Sequence, residues 1–434
     1  MTTASSSFPT AAPGPGRARQ SLIYRAGVLG RAPRVPTDFA ELESRARAAM
    51  SDKAWAYVAG GAGSGATMRA NRAAYDRHRL VPRMASGHVA RDLSVELFGR
   101  RLPTPLLLAP IGAAALVHAD SDLHIGRGAA ATGVPYILSN QGCSPMEAVA
   151  AVMGDAPRWF QLYWSTDDAL VDSLLRRAEA SGAEAVVVTL DTTMLGWRPQ
   201  DLNLGSLPFS QGVGIAQYTS DPRFREIVRS RVAARGGGAS TQDVQVTLAA
   251  IRTLLSISRE HPGRLRDNLR SPEPRAAVET FLDIYSNPGL TWQTLASIKS
   301  RTSLPVLFKG ILHPDDARRA VDAGADGIVV SNHGGRQVDG AIASLDALPA
   351  VRAAVGEGMP LVLDSGVRSG ADVVKALALG ADAVAIGRPY IYGLALAGGA
   401  GVRDVIANLV AELDLTMGLI GAASLADLTP DVLV

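Results

Sequence analysis

Eight short apolar runs, separated by stretches of helical length or more, constrain this chain more than any other feature. They are Pro105–Gly112 (PLLLAPIG), Val134–Ser139 (VPYILS), Trp159–Trp164 (WFQLYW), Ala185–Asp191 (AVVVTLD), Leu304–Gly310 (LPVLFKG), Gly327–Asn332 (GIVVSN), Leu361–Gly366 (LVLDSG) and Ala383–Arg388 (AVAIGR). Apolar runs alternating with amphipathic segments mark a parallel α/β fold, because crossover helices cover the sheet. Eight such units is the number that closes a (β/α)8 TIM barrel. The helices carry their own boundaries: Asp167–Gly182 opens on acids and stops at glycine, and Pro314–Gly324 has proline in its first turn and glycine at its end. A doubly wound sheet would want a G-x-G-x-x-G turn after its first strand. Gly60–Gly65 (GGAGSG) precedes that strand and does not fit the pattern, so it reads as a flexible turn after a helix.

One interval breaks the rhythm: roughly 90 residues separate Arg198 from a helical segment at Leu290–Thr302, far more than a βα connection needs. Residues 202–288 are therefore an insertion after the fourth strand, with helical spacing at Asp243–Ser258 and Pro274–Tyr285 and a flexible centre at Val232–Ser240. At a barrel's C-terminal face such an insertion is expected to act as a lid; a surface excursion or oligomer contact is the other reading. Residues 1–35, rich in Ala, Pro, Ser and Gly and without a signal-peptide core, predict a disordered tail, leaving 36–434 as one domain.

With 43 basic against 41 acidic residues, a formal net charge of +2, no global field draws nucleic acid or an anionic membrane. No run approaches the ~18 uninterrupted apolar residues of a membrane span. A soluble protein with a small-molecule partner is expected. A single cysteine, Cys143, excludes an intrachain disulfide framework and a cysteine-based zinc site and fits a reducing cytoplasm; no metal centre is expected. Redox chemistry would need a borrowed cofactor.

In barrels the strand C-termini face the active site, so polar residues just past each run are the candidates. They are Gln161 and Tyr163 on strand three, Thr189, Asp191 and Arg198 after strand four, Lys309 on strand five, and Ser331, His333 and Arg336 after strand six. Strands seven and eight end in Asp364–Arg368 (DSGVR) and Gly387-Arg388, where barrels commonly cradle a phosphate; Gly366 and Gly387 permit close backbone approach and Arg388 supplies charge. A plain tight turn is the alternative there. A lone histidine is more often structural, and His78, His88 and His261 read as surface residues. His333 differs: it follows a strand, precedes two glycines, and stands three residues from an arginine suited to bidentate carboxylate binding.

The segment SNHGGRQ, with LFKG before it and DSGVRSGADVVKALALGADAVAIGRP after it, is similar to the FMN-dependent 2-hydroxy-acid oxidising enzymes. The likeness extends from about Ala56 to Ile420 and includes Tyr57–Gly61 (YVAGG), Ala109–Gly112 (APIG), Phe160–Tyr163 (FQLY) and Thr189–Thr192 (TLDT). Leu195–Pro199 (LGWRP), Gly310–Asp316 (GILHPDD) and Gly387–Tyr390 (GRPY) resemble the lactate 2-monooxygenase branch. The resemblance implies FMN, a small L-2-hydroxy acid, oxygen or another electron acceptor, coupled decarboxylation as in that branch, and a tetrameric or octameric homo-oligomer. It implies His333 as base with Asp191 stabilising its protonated form, and Arg336, Arg198 and Tyr57 on the substrate carboxylate. Tyr163 would bond the substrate hydroxyl, and Lys309 would lie by the flavin N1–O2 edge. Pro110, Ile111, Gly112, Ser139, Gln161, Thr189 and Ser331 would line the ring, and Asp364, Ser365, Gly366, Arg368, Gly387 and Arg388 the ribityl phosphate.

Free imidazole titrates near ~6.5 and an adjacent carboxylate raises it, which is expected to favour proton acceptance by His333. Gly112 is alanine in many relatives, so its missing methyl is expected to leave room by the flavin. Asn140, Gln141 and the insertion depart from the family pattern, which keeps a larger, mandelate-like 2-hydroxy acid open. Other classes remain: a Schiff-base lyase using Lys309, a cysteine-nucleophile barrel for which Cys143 is misplaced, and a non-catalytic flavin protein, which would leave His333, Arg336 and Tyr163 without a purpose.

Overall fold

The computed structural model describes residues 14–235 and 247–434. A hairpin of β1 (Val95–Leu97) and β2 (Arg100–Leu102) precedes eight barrel strands: β3 (Leu106–Leu108), β4 (Tyr136–Leu138), β5 (Arg158–Leu162), β6 (Val186–Thr189), β7 (Val306–Ile311), β8 (Gly327–Val330), β9 (Leu361–Asp364) and β10 (Ala383–Ile386). Six of the expected runs contain their strands, and β5 and β7 each extend one residue beyond theirs, to Arg158 and Ile311. All eight pair in parallel in chain order, and β10 closes on β3. Leu107, Ile137, Trp159, Val187, Leu307 and Val362 fill the interior, so the barrel is a packed core. Leu97 and Leu102 of the hairpin join that cluster, and Phe98 packs edge-on against Trp159 at the start of β5. The hairpin thus plugs the end of the barrel opposite the site.

The expected tail is in part an ordered element. Residues 1–13 lie outside the described residues, but Pro15–Val28 is a helix with proline in its first turn. Gly16 N–H donates to the buried Asp414 carboxylate at 2.9 Å and Arg19 Nε to Asn408 at 2.8 Å. Gly16 is required there, because a Cβ would meet the Leu415 side chain and the Ala411 carbonyl. Composition suggested disorder because the helix is held by this docking, while Leu22, Tyr24 and Val28 stay exposed.

The helix carrying Asp414, Arg388–Ile420, has the length and mean hydropathy of a membrane span, which the run-based reading of the sequence did not register. It is broken at Ala397–Gly398, carries Arg403, Asp404, Glu412 and Asp414 beyond the break, and packs on helices Pro15–Val28, Ser121–Ala130 and Gly370–Ala378.

The insertion folds into helices Pro222–Ala234, Leu248–Glu260 and Glu273–Ile284, near two of the predicted segments. Residues 236–240 of its expected flexible centre, Val232–Ser240, lie outside the described residues, as do residues 243–246 of the expected helix Asp243–Ser258, while Val232–Ala234 end a helix. Phe209, Tyr218, Phe224, Phe281 and Tyr285 pack as one aromatic cluster with centroids 4.8–6.4 Å apart. The segment expected as helix Leu290–Thr302 is a short helix, Trp292–Ala296, followed by a 3-10 turn.

Candidate active site

The C-terminal ends of the barrel strands open into a cavity. Of the residues singled out in the sequence, Tyr57, Pro110, Ile111, Gly112, Tyr163, Arg198, Lys309, His333, Arg336, Asp364, Ser365, Gly366, Arg368, Gly387 and Arg388 line it. Ser139, Gln161, Thr189, Asp191 and Ser331 are not part of that lining: Asp191 bonds His333, Ser331 accepts from Lys309, Ser139 donates to Gln161 at 3.1 Å, and Thr189 ends β6.

His333 follows β8 with φ of 57°, a left-handed conformation uncommon outside glycine and found where surrounding structure overrides local preference. What holds it is visible: its N–H donates to Ser331 Oγ at 3.0 Å, and the Asn332 side chain accepts from Gly335 N–H at 3.1 Å. Gly334 and Gly335 complete the turn with φ of 64° and 74°. His333 Nδ1 then lies 2.7 Å from Asp191 Oδ1 and 3.3 Å from Thr192 Oγ1. Burial lowers the imidazole below its ordinary value; Asp191 opposes this, and Lys309 and Arg198 add to it. The expected upward shift is thus reversed, because burial and two cations outweigh one carboxylate. Burial would raise the Asp191 carboxyl, but His333 and Lys309 hold it below the ordinary range. The resting pair is a neutral imidazole and a carboxylate.

Lys309 Nζ bonds Ser331 Oγ at 2.9 Å and lies 3.2 Å from Asp364 Oδ2, which accepts from Ser331 at 2.6 Å. Burial would lower this lysine, yet Asp364 and Asp191 raise it above its usual value. An ammonium held in this way has no lone pair for Schiff-base formation, so the lyase reading finds no support here.

Arg198 and Arg336 share one wall. Arg198 Nε donates to the Arg336 carbonyl at 3.1 Å and Nη2 to Gln337 at 2.8 Å. Arg336 lies over the Tyr57 ring, 5.0 Å from its centroid, and donates to the Gly60 carbonyl at 2.9 Å. Burial and the charge of Arg198 push the Arg336 guanidinium down to about 9. Burial raises the phenols of Tyr57 and Tyr163, which stay protonated donors.

Arg388 donates to the carbonyls of Val58 at 3.0 Å, Gly334 at 3.1 Å and Gly60 at 2.9 Å. It therefore braces three loops as well as lining the cavity. The Gly60–Gly65 stretch, expected to be a plain turn, belongs to the site through Gly60, whose carbonyl receives both Arg336 and Arg388. Ser365 and Gly366 turn with φ of 92° and 88°, the second because a Cβ would meet the Asn71 carbonyl at 2.9 Å. Arg368 stacks on Phe39 at 4.6 Å.

Sequence reasoning missed Thr192 as a partner of the histidine pair, and did not single out Leu195, Phe209 and Tyr285, which form a further wall. Phe209 and Tyr285 come from the insertion. Its aromatic spacing was the signal. Gly112 is also corrected: a Cβ there would lie 2.6 Å from Gln141 Cβ, so the vacated space is filled by Gln141.

The profile of the family described as FMN-dependent dehydrogenase matches residues 46–434. The chain belongs to that family. It is 41% identical to an FMN-dependent alpha-hydroxy acid dehydrogenase of Penicillium citrinum, over 95% of this chain and 94% of the relative. It is 40% identical to an L-lactate oxidase of Lysinibacillus sphaericus, over 92% and 93%. A solved mandelate oxidase with (S)-4-hydroxymandelic acid superposes with a TM-score of 0.74 at 34% identity, covering 92% of this chain and 98% of that one. The protein is an FMN-dependent oxidoreductase of alpha-hydroxy acids. Its residues fit the cofactor: Gln161 Nε2, Thr189 Oγ1 and Asp191 Oδ2 are buried with no partner among the described residues, an arrangement suited to a ring with polar edges.

Proposed function

We propose that the cavity oxidises an L-2-hydroxy acid to the 2-oxo acid, with His333 as proton acceptor and Arg198 and Arg336 holding the substrate carboxylate. The observation that carries this reading is the His333–Asp191 pair, 2.7 Å apart, in one cavity with two guanidiniums.

Oxidising an alcohol carbon beside a carboxylate removes one proton and one hydride equivalent. Bound FMN supplies the hydride acceptor. Pro110, Ile111, Gly112 and Lys309 would hold its ring, with Ser139, Gln161, Thr189 and Ser331 behind them. Ser365, Gly366, Arg368, Gly387 and Arg388, with Asp364 beneath, would hold its phosphate.

Asp191 anchors Nδ1, so the lone pair that can take a proton is on Nε2, which has no partner among the described residues. Proton transfer creates an imidazolium 2.7 Å from a carboxylate, which stabilises it. The protonated phenol of Tyr163 donates to the substrate hydroxyl, and that of Tyr57 to the carboxylate. The two arginines fix the carboxylate, which aims the hydroxyl-bearing carbon at His333.

A second reading, decarboxylation of the oxo acid as in the lactate 2-monooxygenase branch, is favoured by Leu195, Phe209 and Tyr285, which line one wall of the cavity. The 2-oxo acid and hydrogen peroxide then yield the shortened acid, carbon dioxide and water before release. The insertion acts as the lid in that reading.

The test is to mix the yellow protein anaerobically with a panel of 2-hydroxy acids, then admit oxygen and identify products. Bleaching is expected; its absence with every acid overturns the assignment. Acetate and carbon dioxide from lactate support the second reading, and free pyruvate with peroxide displaces it.

A further inference from the structure

Gln141 is 7% exposed, lines the cavity, and makes no side-chain hydrogen bond among the described residues, although its N–H donates to Ser139 Oγ at 3.1 Å. The residue is buried while its amide opens onto the cavity, where a ligand can take the hydrogen bonds that the protein leaves unmade. The chain shapes a seat for it. A Cβ on Gly112 would stand 2.6 Å from Gln141 Cβ and 3.3 Å from its Oε1. On the other side, a Cβ on Gly214 of the insertion would stand 3.0 Å from both the Gln141 carbonyl and the Phe209 ring. Gly112 thus leaves room for the Gln141 side chain, and Gly214 lets the Gln141 backbone and the Phe209 ring approach one another.

Phe209 is itself fixed, edge-on to Tyr57 at 6.4 Å and tilted against Phe281 at 5.3 Å and Tyr285 at 6.4 Å. A rigid aromatic wall of this kind favours another ring in offset or edge contact. A methyl group would leave the wall and the amide unfilled.

We propose that Gln141 is a specificity-determining residue: the site takes 2-hydroxy acids whose side chain is an aromatic ring bearing a hydrogen-bonding group, the ring against Phe209 and the group on the Gln141 amide. The proposal rests on the 2-hydroxy-acid reading above. A site built to bond a polar group discriminates against the analogue that lacks it, since its own amide is then left unpaired.

The test compares (S)-mandelate, its 3- and 4-hydroxy derivatives and L-lactate by anaerobic bleaching and kcat/KM. One hydroxylated isomer is expected to exceed mandelate by about tenfold, and mandelate to exceed lactate. In Gln141→Met, matched in length, the ratio of hydroxylated to plain mandelate is expected to fall to within about twofold. Gly112→Ala, which displaces Gln141 without altering it, should lower the same ratio. Calorimetric binding of phenylacetate and its hydroxy derivatives, which carry no oxidisable hydroxyl, should show the same preference in Kd. Flavin content of each variant verifies folding. Bleaching with lactate as the preferred acid, or a ratio unmoved by both substitutions, overturns this proposal alone; bleaching with none overturns the 2-hydroxy-acid reading with it.

Discussion

His333 Nδ1 and Asp191 Oδ1 lie 2.7 Å apart, joining the segments that follow β8 and β6 across the cavity. Because the carboxylate is anchored on a different strand, it fixes both the tautomer and the direction of the ring. His333→Ala is expected to keep its flavin and lose substrate-driven bleaching by about 10²- to 10⁴-fold. A variant that still bleaches rapidly removes His333 from the base role.

The direction of the His333 shift sets a pH profile. Its folded pKa is depressed, so the neutral, proton-accepting form persists below the ordinary imidazole range, and the acid limb of kcat/KM should lie under about 6.5. Asp191 works against that depression, so Asp191→Asn should slow the reaction and move the limb further down. An upward move would mean that Asp191 does not face the titrating group.

Lys309 and Asp364 form a buried pair braced by Ser331. Removing the cation strands a carboxylate that is itself 7% exposed. Lys309→Met should cost about 3–5 kcal/mol in denaturant unfolding, and Lys309→Met/Asp364→Leu together less than Lys309→Met alone. Equal or larger loss in the double variant would show that the pair is not the source.

The barrel was legible because its strands are buried on both faces and read as unbroken apolar runs, such as Ala185–Asp191 and Leu361–Gly366. Most of the site was legible for a related reason: polar residues ending such runs converge at one mouth. What escaped were contacts made by backbone and by chain reversal. Gly60 acts through its carbonyl, which no residue-type rule marks. Thr192 matters only through its distance to His333. The helix Pro15–Val28 has an arginine-rich sequence, and its N-terminal turn is bonded to a carboxylate roughly 400 residues away.

Arg336 sits beside Arg198 with burial against it, and both pressures are relieved by an anion between them. Oxalate, which offers carboxylates but no oxidisable carbon, should therefore stabilise the holoenzyme strongly, by about 2.7 kcal/mol at one hundred times its Kd. Oxamide, its uncharged analogue, should not. In Arg336→Met the oxalate effect should fall sharply, and thermal denaturation with each ligand measures it. Equal stabilisation by oxamide would remove charge from the account.

Asp414 is fully buried and receives Gly16 N–H at 2.9 Å and the Arg91 guanidinium at 2.5 and 3.1 Å, so one carboxylate ties the N-terminal helix and the segment before the hairpin to the C-terminal helix. Arg91 is raised above its usual value, with the Asp414 hydrogen bond the largest cause. Asp414→Asn keeps an oxygen for Gly16 but leaves the guanidinium without its charge partner. Stability should drop by about 3–5 kcal/mol, as for other buried pairs broken on one side. Asp414→Ala removes the Gly16 bond as well and should also release residues 15–28. Hydrogen exchange separates the two roles: amides of Pro15–Val28 should exchange faster in Asp414→Ala than in Asp414→Asn. If both variants protect the helix like the parent, Gly16 is not what holds it.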